Sequence, residues 1–316
     1  LVLTTGQQPG LFTGPLYTVH KALAAAALAR VLEQRWQRPV IPMFWVAGDD
    51  HDFVEASATS WIDTFGALFD WKLPERGADA PQRPMSAETL PEETLVGLNL
   101  LEASLPAGPL RNDTMAWLRR YFVRGATLHG AYAGAVAELL APFGVLCFDP
   151  TSEAAKRAQL PLLIRALDRA GDLDAALAAL PDAGTGIAAG DGATLVFMIT
   201  AVGRDRLLID GDGFRTRRSG ERFTRDALVA LMEREPQRFS ANVLLRPVVE
   251  SALLPTVGYV GGPGELRYLE HQAASLYPLL GVERQVPVPR WSGTIITRSS
   301  ERLLGRLRIT AEEVMA

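Results

Sequence analysis

The stretch LVLTTGQQPGLFTGPLYTVHKALAAAALARVL, residues 1–32, decides how this chain folds. Residues 1–5 are typical of a buried strand, and Pro15 opens a long apolar helix that we predict over 14–36. A strand that enters a helix through glycines leaves free backbone N–H groups where the helix dipole favours an anion. The segment therefore predicts either a phosphate or carboxylate site or a plain turn. The glycines of this turn are Gly6, Gly10 and Gly14.

Polar side chains in and after this turn form the first candidate site. The glycine spacing matches neither GxGxxG nor GxxxxGK(S/T), so the turn is not a standard dinucleotide or P-loop motif. Tyr17 and Lys21 are four residues apart and share a helix face, with His20 beside them. Such groups can hold phosphate oxygens, and the alternative is a capped helix with polar residues facing solvent. The candidate residues are Gly6, Gln7, Gln8, Thr13, Gly14, Tyr17, His20 and Lys21.

The composition is that of a water-soluble globular protein with a large core. The 316 residues are 48% hydrophobic and 22% charged, and the net charge of −4 argues against a general nucleic-acid or anionic-membrane role. Cys147 is the only cysteine, which excludes an intrachain disulfide and predicts a cytoplasmic protein with an inert core thiol. No apolar run reaches the ~18 residues that a membrane span needs.

Continuous apolar runs predict an α/β fold around a mostly parallel sheet. Residues 39–48 and 144–150 lack the alternation of a half-exposed strand, which indicates a sheet that is covered on both faces. Thr151 or Ser152 is a suitable cap for a helix that runs to about residue 170. An antiparallel meander follows, after a flexible Gly-rich stretch.

The chain therefore divides into three predicted parts. The first part of the core covers 1–171 and contains a loop and helical insertion at about 74–142. An antiparallel β/α insertion covers 172–239. The rest of the core and a terminal helix cover 240–316, with one helix predicted over 263–281.

The second candidate site is GDDHDF, residues 48–53, which directly follows the predicted buried strand 39–48. Open α/β sheets bind ligands at the carboxyl ends of their strands. His51 could act as an acid or base beside a carboxylate, and Asp49, Asp50 and Asp52 could bind Mg²⁺ or an ammonium group. A solvated acidic turn is the alternative. His129 has no evident partner, and without a second His or Cys cluster we predict no zinc site.

The third candidate site lies in SANVLLRPVVESALLPTVGYVGGPGELRYLEH, residues 240–271. Residues 242, 246 and 250 are four apart and are predicted to line one helix face. Arginine suits carboxylate or phosphate binding, and a glycine turn lets the backbone approach a ligand. A surface network of i,i+4 pairs is the alternative. The candidate residues are Asn242, Arg246, Glu250, Tyr259, Gly261, Gly262 and Glu265.

Together these segments resemble one family, the cysteine-adding enzymes of bacillithiol biosynthesis (BshC). The matching stretches are TTGQQPGLFTGPLYTVHKA, PMFWVAGDDHDF and SANVLLRPVVESALLPTVGYVGGPGELRYL, in this order along the chain. The resemblance implies a Rossmann-like core similar to class I nucleotidyltransferases. Family members dimerise through a C-terminal coiled coil that this sequence lacks, so we expect a catalytic core whose oligomeric state is open.

The resemblance also implies a reaction, the joining of cysteine to the amine of glucosaminyl malate through an amide bond. A carboxylate needs activation before it acylates an amine, so ATP or another activating nucleotide is the expected cofactor, and the need for Mg²⁺ stays open. The class I signature HxGH is replaced by TGPLYTVH, and no KMSKS-like run is present. Both departures weigh against adenylation.

The resemblance further implies roles for the three candidate sites. The first turn would bind a phosphate or carboxylate with electrostatic help from Lys21. His51, with the neighbouring aspartates, would bind or deprotonate the amine. Arg246, Glu250 and the GGPGE turn would hold the malyl carboxylates or the amino acid. A nucleotide-sugar or nucleotidyl transferase and a non-catalytic binding core remain the alternatives.

Overall fold

A five-stranded parallel sheet forms the centre of the computed structural model. The strands of the whole chain are β1 (Val2–Gln7), β2 (Ile41–Val46), β3 (Ala58–Ile62), β4 (Leu68–Lys72), β5 (Leu146–Phe148), β6 (Ala193–Thr200), β7 (Gly203–Asp210), β8 (Gly213–Thr216), β9 (Arg222–Thr224), β10 (Phe239–Ala241), β11 (Thr256–Gly261) and β12 (Val286–Pro289). The structure describes residues 1–77, 79–182, 184–187, 190, 192–294 and 296–315. The central sheet has the order β12-β11-β1-β2-β5, with every pairing parallel. This is the strand order of a doubly wound Rossmann-type sheet.

Helices cover both faces of this sheet. They are α1 (Tyr17–Trp36), α2 (Phe53–Ala56), α3 (Glu93–Ser104), α4 (Pro109–Tyr121), α5 (Leu128–Leu140), α6 (Glu153–Asp168), α7 (Ala170–Ala178), α8 (Arg225–Arg234), α9 (Arg246–Leu253), α10 (Pro263–His271), α11 (Leu276–Leu280), α12 (Arg298–Leu307) and α13 (Ala311–Met315). Phe44 and Val46 of β2 pack toward the small residues of α1, whereas Trp45 packs with α6 and α9 on the other face. The continuous apolar run of β2 follows from this two-sided burial.

A second sheet, antiparallel and of order β10-β6-β7-β8-β9, packs on the core through α6, α7 and α8. Its edge strand β10 pairs with β6 and ends at Ala241, directly before the turn that leads into α9. This connection brings β6 and β7 close to the carboxyl ends of the parallel strands. The third sheet is the β3–β4 hairpin, which packs with the helical insertion α3–α5.

The predicted fold class, a mostly parallel α/β core with an antiparallel insertion, is confirmed by these sheets. The predicted division of the chain at residues 171 and 239 stays a prediction. Ala183, Ala188, Ala189 and Asp191 of the predicted flexible stretch lie outside the described residues. Within the described ranges, no helix combines the length and apolarity needed to cross a bilayer.

Several local predictions were wrong. Helix α1 begins at Tyr17 and not at residue 14, because Gly14, with φ of 70° and ψ of −161°, lies outside the helical region. Residues 11–13 before it form a separate 3-10 turn whose Leu11 and Phe12 are buried among the insertion helices. Residues 170–178 are helical where we predicted a flexible start to the insertion. The helix predicted over 263–281 is broken into α10, a 3-10 turn and α11.

Candidate active site

A cavity of about 600 Å³ opens at the carboxyl ends of the central strands. The chain runs from β1 to β2 and β5 on one side, and β11 and β12 lie on the other side. The order of the strands thus reverses between β1 and β11, and a crevice forms where the two connections diverge. The volume is that of a small-molecule site. The lining combines the ends of β1, β2 and β11, the starts of α9 and α10, and side chains of β6 and β7.

The tip of β2 places its three aspartates against different partners. Asp49 Oδ1 lies 2.6 Å from Lys156 Nζ. Asp50 Oδ1 accepts hydrogen bonds from the backbone N–H groups of His51 and Asp52, at 2.6 and 3.0 Å. Asp52 caps α2 by accepting the N–H of Glu55 at 3.1 Å. Of the three, Asp49 and Asp50 therefore line the cavity, and Asp52 shapes the turn.

His51 lies where the two larger sheets meet. Its Nδ1 is 3.1 Å from Arg204 Nη1, and its ring centroid is 5.9 Å from that of Phe197. The pKa of His51 is lowered from 6.5, because burial disfavours the imidazolium and the Arg204 charge repels it, while Asp50 acts in the opposite direction. The neutral imidazole is therefore the form present near neutral pH.

His129, which we expected to lack a partner, lies behind this tip. Its Nε2 is 3.1 Å from Asp149 Oδ1 at the end of β5. Burial raises the pKa of Asp149, but hydrogen bonds from His129 and Thr151 outweigh burial and lower it to about 2. Gly48 is required here, because a Cβ atom at this position would lie 2.2 Å from His129 Nδ1.

Lys21 is fully buried and already has three acceptors. Its Nζ donates to the carbonyl oxygen of Gly6 at 2.5 Å, to Gln7 Oε1 at 3.0 Å and to Glu265 Oε2 at 2.7 Å. Glu265 also accepts from the Gly262 N–H at 2.8 Å and from the Tyr259 hydroxyl at 2.7 Å. The pair thus ties the end of β1 to the turn between β11 and α10.

The pKa directions of this pair agree with an ion pair. Burial lowers the pKa of Lys21, and the carboxylate of Glu265 opposes this. Burial raises the pKa of Glu265, but the charge and hydrogen bond of Lys21 and the Gly262 N–H outweigh it, so that the pKa lies below 4.5. Lys21 therefore compensates Glu265 and does not line the cavity.

Arg246 forms the opposite wall of the cavity. Its Nη1 lies 3.2 Å from Glu250 Oε2, and its Nη2 is 3.4 Å from the Tyr259 hydroxyl and 3.3 Å from the Tyr268 hydroxyl. Glu250 is fully buried and accepts a hydrogen bond from Thr4 of β1. Burial raises the pKa of Glu250, and the Arg246 charge opposes this.

Asn242 does not share a helix face with Arg246 and Glu250, contrary to our prediction. It precedes α9, and its Oδ1 accepts the N–H groups of Leu244 and Leu245 at 3.1 and 2.9 Å. An asparagine side chain that accepts these N–H groups caps the turn, so the residue itself lies before the first residue of the helix. The three-way i,i+4 pattern was therefore wrong, although Asn242 still lines the cavity.

The structure brings most of the predicted site residues to one cavity. Those that line it are Gly6, Gln7, Gln8, Tyr17, Asp49, Asp50, His51, Asn242, Arg246, Tyr259, Gly262 and Glu265. Those outside the lining are Thr13, Gly14, His20, Lys21, Asp52, Glu250 and Gly261. Thr13 is the last residue of the 3-10 turn and Gly14 caps that turn, while the ring of His20 packs on Trp291. For all the residues outside the lining, the predicted contact with a ligand stays a prediction.

Sequence reasoning missed the contribution of the antiparallel sheet. Arg204 and Arg206 of β7 both line the cavity, as do Glu55 of α2 and Arg290 after β12. Arg204 and Arg206 are two residues apart in a strand and therefore share one face. Two arginines at alternate positions of an otherwise half-buried strand were the available signal. In the ranges that the structure describes, no group of three or more His, Cys, Asp or Glu residues could hold a metal ion.

Comparison with known families assigns this architecture. A sequence model described as "Bacillithiol biosynthesis BshC, N-terminal Rossmann-like domain" matches residues 1–291. The chain belongs to the BshC family. The resemblance of the three cavity-forming segments to this family is thereby confirmed, and the description as Rossmann-like agrees with the strand order of the central sheet.

Curated relatives of the BshC family cover essentially the whole chain. The protein of Heliobacterium modesticaldum named "Putative cysteine ligase BshC" is 34% identical over 330 residues, which is 100% of this chain and 59% of the relative. Relatives of the same name are 31% identical in Staphylococcus carnosus and 30% in Salinibacter ruber, over 100% and 99% of this chain and 59% and 58% of the relatives. The chain thus spans about three-fifths of their length.

Among solved structures, a methionyl-tRNA synthetase of Mycobacterium tuberculosis in complex with methionyl-adenylate is similar over 92% of this chain and 56% of its own. The TM-score is 0.40 and the sequence identity is 10%.

Proposed function

We propose that this chain carries the active site for ligating cysteine to glucosaminyl malate through an amide bond, a step of bacillithiol biosynthesis. Family membership and the naming of the relatives as cysteine ligases support the reaction class. The observation that carries the proposal is the cavity at the strand-order reversal, which joins residues of all three family-like segments.

The charges of the cavity support small zwitterionic substrates. In the described part of the chain, no carboxylate lies within 4.0 Å of the guanidinium of Arg204 or Arg206, and no Lys or Arg nitrogen lies within 4.0 Å of Asp50 or Glu55. The cavity thus presents charges of both signs that are not neutralised by a salt bridge. Cysteine and glucosaminyl malate each carry an amine and at least one carboxylate, so each could pair with the positive and with the negative side chains of the cavity.

Activation of the carboxylate is chemically required, because an oxide leaving group is too poor for amide formation at neutral pH. ATP or another activating nucleotide would supply a phosphate-based leaving group, as an expected co-substrate. The arginines of the cavity, including Arg290, could hold phosphate oxygens as well as carboxylates.

The proposed reaction forms one bond and breaks one. The amine nitrogen of glucosaminyl malate bonds to the carbonyl carbon of activated cysteine, the bond to the leaving oxygen breaks, and the nitrogen loses one proton. His51 and Asp50 are proposed to contact the reacting atoms, and Arg206 and Arg246 to orient carboxylates. Lys21 and Glu265 act as structural support, since their charges form an ion pair with each other.

A mass-spectrometric assay tests the proposal. The chain is incubated with glucosaminyl malate, cysteine and ATP, and each component is omitted in turn. Bacillithiol should form only in the complete mixture and should disappear with His51→Ala, whose circular dichroism spectrum should stay that of the parent. If the folded chain binds glucosaminyl malate but yields no bacillithiol with ATP or with any other nucleoside triphosphate, it is a binding core and not a ligase. Product without ATP would overturn the activation step.

A further inference from the structure

We propose that Arg204 holds His51 in the neutral tautomer that carries its proton on Nε2, so that His51 meets the substrate as a hydrogen-bond donor and not as a base. The tautomer is a property of the resting protein. Its catalytic consequence rests on the proposed ligase function.

The first step of the argument is the fixed position of Arg204. Its side chain is buried, and its Nε and Nη2 each have a hydrogen-bond acceptor in the antiparallel sheet. Nε donates to Ser240 Oγ at 3.0 Å, and Nη2 donates to the carbonyl oxygen of Ala241 at 2.6 Å. The guanidinium also stacks on the Phe197 ring, with its central carbon 4.1 Å from the centroid. Nη1 is thereby directed at His51.

The second step is the chemistry of the contact. Nη1 of Arg204 and Nδ1 of His51 are 3.1 Å apart. A guanidinium stays protonated and can only donate, so Nδ1 must offer a lone pair. A neutral imidazole has one N–H, which must then be on Nε2, and an imidazolium has no lone pair to accept this hydrogen bond.

The other charges near His51 do not reverse this assignment. Asp50 and Asp52 favour a protonated ring, whereas burial and the charges of Arg204 and Arg218 favour a neutral one. Asp50 Oδ1 is 3.9 Å from Nδ1, and it already accepts two backbone N–H groups. Burial and the two arginines outweigh the two aspartates, because the pKa of His51 is lowered overall.

The third step is where the proton points. His51 lines the cavity, its side chain is 27% exposed, and Nε2 has no hydrogen-bond partner within the described ranges. An N–H at this position can donate to the carbonyl oxygen of activated cysteine, which gains negative charge as the amine attacks. The proton lost by the amine must then go elsewhere. Asp50 and Glu55, the carboxylates of the cavity without a Lys or Arg partner, can take it.

Nitrogen-15 NMR of the histidine rings tests the tautomer without any substrate. The chain has only four histidines, so the signals of His51 are assigned by their loss in His51→Gln. We expect an unprotonated Nδ1 and a protonated Nε2 at about pH 8, and protonation of Nδ1 only at a pH below the ordinary pKa of histidine. A proton on Nδ1 at about pH 8, or a ring that titrates at its ordinary pKa, would overturn the proposal.

A matched pair of variants tests the role of Arg204. Arg204→Met should let the His51 signals average between the two tautomers and should raise the pKa of His51 toward the ordinary value, while burial still keeps it lowered. Arg222→Gln, an exposed position of β9 outside the cavity, should leave the His51 signals unchanged. The expected tautomer in a chain that makes no bacillithiol would refute the ligase function alone. A ligase whose His51 carries its proton on Nδ1 would refute the present inference alone.

Discussion

Lys156 and Asp49 join the two large sheets beside the cavity. Lys156 Nζ lies 2.6 Å from Asp49 Oδ1 at the tip of β2 and 2.8 Å from the carbonyl oxygen of Phe239 in the edge strand β10. The lysine side chain is 3% exposed and the aspartate 20%. One buried ammonium group thus links β2 to the antiparallel sheet, which contributes Arg204 and Arg206 to the cavity.

Replacement of Lys156 is therefore expected to destabilise the fold. Lys156→Met leaves the Asp49 carboxylate unpaired in a mostly buried position and should lower the free energy of unfolding by about 3 kcal/mol. Urea denaturation measures the loss. Lys72→Met is the matched control, because the pair of Lys72 with Glu75 is exposed and should leave the midpoint unchanged. Equal midpoints for the two variants would show that the Lys156 pair does not hold the sheets together.

Much of the core could be predicted because its signals are local. The continuous apolar run of β2 reflects burial on both faces, and the cap of α6 by Ser152 depends on adjacent residues alone. The β3–β4 hairpin was missed, because most of its residues are exposed and its apolar alternation is weak. The break between α10 and α11 was missed as well, although Pro278 in the first turn of α11 was an available signal, because a proline cannot donate the hydrogen bond of a continuous helix.

The candidate site, too, could be predicted only where its signals are local in the sequence. Residues after parallel strands could be expected to meet, because such strands end at the same edge of the sheet. The partners of Asp49 and His51 could not be identified, since Lys156 is 107 residues from Asp49 and Arg204 is 153 residues from His51. Pairs this distant in the chain depend on how the second sheet packs, which no local pattern in the sequence encodes.

Arg206 is expected to bind a carboxylate of glucosaminyl malate. It lines the cavity and stacks near Phe197, and no carboxylate of the described residues lies within 4.0 Å of its guanidinium. Burial lowers the pKa of Arg206, and the charge of nearby Arg217 lowers it further. A bound anion would therefore offset the unfavourable free energy of holding this guanidinium in its charged form. Arg206→Gln should raise the KM for glucosaminyl malate about 10- to 100-fold.

The control for Arg206 is a second arginine of the same sheet. Arg222→Gln removes an exposed charge that pairs with Asp210 and does not line the cavity, so its KM should equal that of the parent. Steady-state kinetics, with glucosaminyl malate and cysteine varied in turn, measure the KM of each variant for each substrate. A KM that changes for cysteine and not for glucosaminyl malate would move Arg206 to the other substrate.

Lys21 and Glu265 are expected to act as a coupled structural pair. Lys21→Met should destabilise the chain by about 3 kcal/mol, because Glu265 is left without its cation beside the β11–α10 turn. The double variant Lys21→Met with Glu265→Gln should regain part of this loss, with a coupling energy of about 2 kcal/mol. Additive losses in urea denaturation would mean that Lys21 has another partner, and the original prediction that it assists an anion would return.

Asp149 should make the stability of the chain sensitive to acid. Its pKa is about 2 in the folded state, against an ordinary value of 3.8, because hydrogen bonds from His129 and Thr151 stabilise the carboxylate. Between these values the unfolded chain binds more protons than the folded chain. The contribution of Asp149 is therefore complete above pH 3.8 and is lost as the pH falls toward about 2.

Asp149→Asn should remove this part of the acid sensitivity. The variant should be less stable than the parent at about pH 7, and the difference should shrink as the pH falls through the window below 3.8. Asp113→Asn, an exposed position on α4, should follow the parent at every pH. Urea denaturation at several pH values measures all three chains. A constant difference between Asp149→Asn and the parent would mean that His129 and Thr151 do not hold the carboxylate in its charged form, because only a pKa that differs between the folded and unfolded chains makes the difference depend on pH.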